Sequence, residues 1–141
     1  MLVALAGLFS GVNELIKWVA GRTRPYKLFA GPGAKEGAYL APFELHPFRG
    51  GSNMAFPSGH AALAFATAAA LAILMPRWRW AFYGIAALTA AERVLEGAHY
   101  PSDVVAAAAL GVGAAHAARA AIAWHARWYA RGGTSQVAPE R

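Results

Sequence analysis

Apolar segments separated by short polar clusters make up most of the chain. The first apolar segment covers residues 1–18, and three more, rich in alanine and leucine, cover residues 61–75, 80–95 and 102–129. They show no continuous polar stripe, which is typical of helices surrounded by other helices or by lipid. The pattern predicts an all-α bundle of about four helices.

Glycine and proline mark the boundaries of these predicted helices. Residues 21–56 are rich in both and show no sustained periodicity, which predicts a long loop. Pro57 stands before the second helix, and Pro76 opens a tight basic turn before the third. The chain becomes polar near its carboxyl end, so we expect one helical domain over residues 1–131 and a disordered tail over residues 132–141.

Composition favours a membrane bundle over the alternative, a soluble helical bundle. Hydrophobic residues make up 57% of the chain and charged residues 14%, whereas soluble domains carry about 25% charged residues. A small soluble bundle could not cover helices that are apolar on all faces. The chain has no cysteine, which excludes both a disulfide framework and a thiolate metal site.

The net charge of +6 indicates an anionic partner, such as a phosphate ester, an acidic lipid surface or nucleic acid. Nucleic acid is disfavoured because the basic residues are scattered over helix ends and do not line one face. Phosphate esters and acidic lipids therefore remain as the expected partners.

Basic residues also predict an orientation in the membrane. Arg77 and Arg79 lie in the turn between the second and third helices, and Arg127 and Arg131 lie at the end of the last helix. The positive-inside rule makes that side cytoplasmic and places the polar clusters on the extracytoplasmic side. The basic residues between positions 17 and 27 count against this orientation.

Lys17 and Arg24 form the first polar cluster, at the end of the first helix. They are seven residues apart, which is two helical turns if the helix persists, so both can face one side. Arginine offers a planar fork that matches two phosphate oxygens, and lysine adds a point charge. The alternative is that both residues only anchor the helix at the membrane surface.

Ser58, Gly59 and His60 form the second cluster, at the start of the second helix. The free N–H groups and the dipole of a helix start favour an anion, and Gly59 lacks a side chain that would block its approach. Ser58 can donate through its hydroxyl or cap the helix. A protonated His60 could give a proton to a leaving oxygen. The alternative is a helix cap followed by an incidental histidine.

Arg93, His99 and Asp103 form the third cluster, between the last two helices. An aspartate near a histidine can hold the proton of one ring nitrogen and leave the other nitrogen as a nucleophile. Ionisable groups at the edge of a membrane helix mark functional sites by default. The alternative is a structural arginine–aspartate pair with His99 as a bystander.

With the three clusters in this order, the chain resembles the type 2 phosphatidic acid phosphatase (PAP2) superfamily, which includes membrane lipid phosphatases and vanadium haloperoxidases. The matching motifs, within residues 13–113, are Lys17 with Arg24-Pro25, then Pro57-Ser58-Gly59-His60, then Arg93, His99 and Asp103. The resemblance implies that His99 is the nucleophile, Asp103 its orienting partner and His60 the acid for the leaving group. It also implies that the phosphate oxygens are held, without metal or cofactor, by Lys17, Arg24, Ser58, Gly59 and Arg93.

Two features depart from the family pattern. Glu92 stands where the family usually has serine, and its carboxylate can either compete with phosphate for Arg93 or turn away. Glu14, Glu92 and Glu96 are expected to pair with nearby arginines. Members of the membrane branch usually carry two further helices before the first motif. This chain instead starts almost inside the helix that is the third in those members.

The resemblance therefore predicts a multi-pass membrane phosphatase, in a bacterial inner membrane, that hydrolyses a lipid phosphate or polyprenyl diphosphate through a phosphohistidine. A haloperoxidase is the alternative within the superfamily, but those enzymes are soluble and the apolar helices argue against one. A second alternative is a truncated, non-enzymatic membrane protein that keeps a site for lipid phosphate.

Overall fold

A computed structural model describes residues 2–26, 47–48 and 54–132 of the chain, with the side chains of residues 11–26, 47–48 and 54–131. Within these residues the fold has no strand and consists of four α-helices: α1 (Leu2–Ala20), α2 (Gly59–Leu74), α3 (Arg79–Leu95) and α4 (Pro101–Gly132). A short 3-10 helix, Pro76–Trp78, joins α2 to α3. The prediction of an all-α fold with about four helices is confirmed.

The observed helix ends lie close to the predicted ones. Helix α2 starts two residues earlier than expected, at Gly59, because Ser58 caps it. Helix α4 continues to Gly132, the first residue of the predicted tail. The rest of that tail and most of the predicted loop over residues 21–56 lie outside the described residues.

Small side chains form the core between the helices. Helix α2 packs against both α3 and α4, and one buried cluster between these helices consists of Ala61, Ala62, Ala90, Val104 and Ala107. The closest approach is at Gly111 of α4, where a Cβ atom would overlap the Ala62 carbonyl oxygen and lie 2.8 Å from the Ala66 nitrogen. The backbones of α2 and α4 are therefore in direct contact, as in helix pairs that join through small residues.

Much of the surface of the described helices is apolar. Large exposed side chains include Leu63 on α2 and Trp80, Ile85 and Leu88 on α3. By length and composition alone, one helix in the described part of the chain could cross a membrane, the Pro101–Arg131 segment of α4. Helix α2 is apolar but has 16 residues, fewer than the ~20 that a perpendicular span needs.

Gly97 follows the end of α3 and turns the chain toward His99. Gly97 has a φ of +67°, a conformation that glycine adopts without strain. Its N–H donates to the Val94 carbonyl at 2.9 Å, and the Ala98 N–H donates to the Arg93 carbonyl at 3.2 Å. This pair of hydrogen bonds is a Schellman motif, a common way of ending a helix. The turn also brings the His99 N–H to 3.2 Å from the Arg93 carbonyl oxygen.

The start of α4 is capped by the side chain of Asp103. Pro101 occupies the first helical position, where the absence of an N–H has no consequence. Asp103, two residues later, reaches back so that its Oδ2 accepts from the Tyr100 N–H at 2.8 Å. This is half of a capping box, with aspartate in the place of glutamate. His99 is thus held between two well-formed helix ends.

Candidate active site

The end of α1, the start of α2, the end of α3 and the start of α4 meet at one end of the bundle. Three main-chain hydrogen bonds join segments that are distant in sequence: Ser58 N–H to the Asp103 carbonyl at 3.2 Å, Tyr26 N–H to the Gly97 carbonyl at 2.9 Å, and Ala55 N–H to the Arg22 carbonyl at 2.9 Å. The three polar clusters of the sequence therefore lie side by side.

An open cavity of about 330 Å³ lies where these ends meet. It is lined by Lys17, Arg24, Gly59, His60, Leu63, Arg93, Ala98 and His99. Six of the eight site residues predicted from the sequence are in this lining. The other two, Ser58 and Asp103, are completely buried and do not line it.

The His99 ring is buried and held by a main-chain carbonyl. Its Nδ1 lies 2.7 Å from the Ala55 carbonyl oxygen and 3.8 Å from Asp103 Oδ2. A carbonyl oxygen only accepts, so in the neutral ring Nδ1 carries the proton and Nε2 keeps its lone pair. The contact with Ala55 thus favours the tautomer of His99 in which Nε2 is free to act as a nucleophile. Asp103, the predicted orienting partner, lies beyond hydrogen-bond distance.

Asp103 pairs with Arg22, not with Arg93. Asp103 Oδ1 accepts from Arg22 Nη1 at 2.5 Å, and its Oδ2 accepts from the Tyr100 N–H. In the sequence, Arg22 is notable only as one of the basic residues that oppose the predicted orientation. The signal that could have identified it is general: a carboxylate inside an apolar bundle is rarely buried without a cationic partner.

The three cations of the cavity differ in their surroundings. Lys17 Nζ lies 2.5 Å from Glu14 Oε1. Arg93 Nη2 lies 3.0 Å from Glu96 Oε2 and 3.3 Å from Glu92 Oε1. Arg24 has no carboxylate partner among the described residues. The predicted pairing of Glu92 and Glu96 with an arginine is confirmed, whereas Glu14 pairs with a lysine.

The three residues of the second cluster, Ser58, Gly59 and His60, have different surroundings. Ser58 Oγ accepts from the Ala61 N–H at 3.4 Å, so the hydroxyl caps α2. A Cβ atom on Gly59 would lie 3.4 Å from Lys17 Nζ and 3.6 Å from Asn13 Nδ2. The polar end of α1 therefore lies next to the start of α2, at distances that a Cβ atom would fill with ordinary contacts. His60 is exposed on the first turn of α2 and lines the cavity.

Asn13 is a buried polar neighbour of this site that sequence analysis did not select. It is 7% exposed, and its Oδ1 has no hydrogen-bond partner within the described part of the chain. Asn13 lies one helical turn before Lys17, which is the spacing that places both on the same face of α1.

Comparison with known proteins identifies the family of the chain. Residues 1–129 match the PAP2 superfamily, which covers every residue of the cavity lining. The chain belongs to the PAP2 superfamily. Within this family member, residues of all three motifs line one cavity, and no group of three or more histidines and carboxylates in the described ranges is arranged to hold a metal ion.

Three curated proteins similar to this PAP2 chain are phosphatases by name. The chain is 42% identical over 110 residues to a lipid A 1-phosphatase of Rhizobium johnstonii, a match that covers 74% of this chain and 40% of the relative. It is also 42% identical over 106 residues to a lipid A 1-phosphatase of Rhizobium etli, covering 74% and 42%. An undecaprenyl-diphosphatase of Sulfolobus acidocaldarius is 34% identical over 102 residues, covering 71% and 43%.

The matched region spans about two fifths of the length of these relatives. No solved structure gives a significant match to the chain.

Proposed function

We propose that this chain forms the catalytic core of a membrane phosphatase that hydrolyses a lipid phosphate or a polyprenyl diphosphate through a phosphohistidine. The observation that carries the proposal is the shared cavity, in which two histidines and three cations line one space. A non-enzymatic site for lipid phosphate would need the cations but has no use for a buried, oriented imidazole next to them.

The cations supply the binding energy for phosphate. A phosphate monoester brings about two negative charges, and Lys17, Arg24 and Arg93 offset them. Arg24 can bind directly, since it has no carboxylate partner within the described residues. The start of α2 at Gly59 adds unsatisfied N–H groups and the positive end of the helix dipole. Most of the catalysis in phosphoryl transfer comes from positioning and charge of this kind.

The two histidines carry the chemistry. His99 Nε2 attacks phosphorus in line, forming an N–P bond as the bond from phosphorus to the leaving oxygen breaks. His60 gives its proton to that oxygen, so the alcohol or phosphate leaves protonated. Water then attacks the phosphohistidine, His60 takes the proton of the water, and inorganic phosphate leaves as the N–P bond breaks. This cycle restores both rings.

Apolar surroundings of the cavity support a substrate with a lipid tail. Leu63 lines the cavity and is 64% exposed, and it continues the apolar surface of α2. The relatives are named for a lipid A phosphate and for a polyprenyl diphosphate. We extend the proposal to a multi-pass chain with the cavity at the extracytoplasmic side, because Arg77, Arg79 and Arg127 lie at the other ends of their helices.

Phosphate release in detergent micelles tests the function. The full chain is incubated with phosphatidic acid, phosphatidylglycerophosphate, lipid A and undecaprenyl diphosphate, with and without vanadate. We expect release from at least one of them, and inhibition by vanadate because it mimics the transferred phosphoryl group. A folded protein that binds these lipids without releasing phosphate would contradict catalysis and favour the non-enzymatic alternative. Oxidation of halide by the protein would favour a haloperoxidase.

Replacement of Glu92 by serine is expected to lower KM about two- to fivefold with kcat unchanged. The Glu92 carboxylate contacts Arg93 at 3.3 Å and is 58% exposed, and an exposed ion pair of this kind is worth at most about 1 kcal/mol. Its removal frees part of the Arg93 charge for phosphate. Initial rates against substrate concentration measure the change.

Glu92→Gln is the matched control, because it keeps the size of the side chain and removes its charge. Both variants should behave alike if the charge of Glu92 competes with phosphate. An unchanged or raised KM in both variants would show that Glu92 does not compete.

A further inference from the structure

We propose that Arg22 is a positioning residue of this site, which rests on the function proposed above. Arg22 does not line the cavity, whereas Arg24, two residues later, does. Its side chain binds Asp103 and its main chain binds Ala55, and Nδ1 of His99 lies 2.7 Å from the Ala55 carbonyl oxygen and 3.8 Å from Asp103 Oδ2. Arg22 thus contacts both residues whose oxygens lie next to the ring nitrogen that must keep its proton.

The side chain of Arg22 donates hydrogen bonds to the first turn of α4. Arg22 is 7% exposed, and its Nη1 donates to Asp103 Oδ1 at 2.5 Å and to Ser102 Oγ at 2.7 Å. Its guanidinium carbon lies 3.9 Å from the centroid of the Tyr100 ring, a cation–π distance. These contacts fix the carboxylate of Asp103, whose Oδ2 lies 3.8 Å from His99 Nδ1.

The main chain of Arg22 reaches the other neighbour of the ring. Its carbonyl accepts from the Ala55 N–H at 2.9 Å, and the carbonyl of Ala55 accepts from His99 Nδ1 at 2.7 Å. Ala55 is completely buried, so the middle of this chain of contacts is shielded from bulk solvent. A shift of Arg22 would therefore move the Ala55 carbonyl as well as the Asp103 carboxylate.

Lysine cannot replace arginine at this position without loss. It would keep a positive charge next to Asp103, but it lacks the planar group that stacks on Tyr100 and donates to two acceptors in one geometry. Arg22→Lys is therefore a mild variant for a test, since it leaves no buried charge unpaired.

The expected result for Arg22→Lys is a loss of about 10- to 100-fold in kcat with KM unchanged. A displacement of about 1 Å of a reacting group can lower a rate by about 10²-fold, while substrate binding stays because Arg22 does not line the cavity. Arg119→Lys, the same change on the exposed surface of α4, should keep wild-type kinetics. Ala86→Gly, in the buried face of α3, should lower thermal stability but keep kcat per folded molecule.

A second readout does not depend on turnover. In ¹⁵N-histidine-labelled protein in micelles, with the His99 signal assigned by His99→Gln, we expect wild-type protein to show Nδ1 protonated and Nε2 free. In Arg22→Lys we expect this signal to broaden or to split between tautomers. Ser102→Ala, which removes one acceptor of Arg22 without burying a charge, should give a smaller loss of about threefold in kcat, and it carries the test if Arg22→Lys does not fold.

The two readouts separate the possible failures. A raised KM at constant kcat would overturn the proposal by making Arg22 a binding residue, and so would a loss of rate that follows only the folded fraction, as in Ala86→Gly. An unchanged ring signal in both Arg22→Lys and Ser102→Ala would also overturn it. If wild-type protein releases no phosphate, the proposed function fails, and the ring signal still decides whether Arg22 positions His99.

Discussion

Replacement of His99 by alanine is expected to abolish phosphate release, leaving less than about one hundredth of the wild-type rate. Loss of a single auxiliary hydrogen-bond donor in an active site lowers rates by about 10²–10³, and His99 is proposed to form the covalent bond itself. Alanine leaves the cations of the cavity in place but removes the atom that attacks phosphorus. Initial rates of phosphate release by purified protein, corrected for folded content, measure the loss.

His116→Ala is the matched control for this prediction. His116 is exposed on α4 and does not line the cavity, so the same change there should leave the rate unaltered. Rapid quenching of wild-type protein with labelled substrate should trap an acid-labile phosphoprotein that His99→Ala does not form. A rate above one hundredth in folded His99→Ala protein, or a trapped phosphoprotein in that variant, would assign the nucleophile to another residue.

Replacement of Gly111 by alanine is expected to destabilise the fold by about 3 kcal/mol, at the upper end of the range for overpacked cores. The new Cβ atom would overlap the Ala62 carbonyl oxygen and lie 2.8 Å from the Ala66 nitrogen. These are backbone atoms of α2, which cannot turn aside as a side chain can, so the two helices must separate. Thermal unfolding in micelles should show a lower transition temperature.

Activity should fall together with stability in Gly111→Ala, because the site is built from both helices. Helix α2 carries Gly59 and His60, and the first turn of α4 carries Asp103. Separation of the helices would weaken the hydrogen bond from the Ser58 N–H to the Asp103 carbonyl that joins them next to the site.

Gly113→Ala provides the control, two residues further along the same helix. A Cβ atom at Gly113 would have no atom within 4 Å, so alanine should be neutral or stabilise α4 slightly. Equal loss of stability in the two variants would mean that close contact between α2 and α4 is not the cause.

Helices and their ends could be predicted from the sequence because their signals are local. The apolar segments that predicted α2, α3 and α4 begin and end within three residues of the observed helices. Ser58 before α2 and Pro101 at the start of α4 are recognised from their immediate neighbours. The length of each apolar segment and its flanking breakers were enough to give the all-α fold.

Candidate site residues could also be selected from the sequence, because their chemistry is unusual in an apolar chain. Three cations, two histidines, a serine, a glycine and an aspartate in three clusters matched a family pattern, and six of these residues line one cavity. Their roles in catalysis stay predictions. Their spacing within each cluster is short, so local turns such as the one at Gly97 bring them together.

The sequence by itself determined the helices, the membership of the PAP2 superfamily and six of the residues that line the cavity. Only the tertiary structure decided which partner each buried group has: Ala55 for His99 Nδ1, and Arg22 for Asp103. Arg22 and Asp103 are 81 positions apart, and no local pattern relates them. The physical reason is that helix formation depends on neighbours along the chain, whereas the partner of a buried charge depends on which segments the packing of small residues allows to approach.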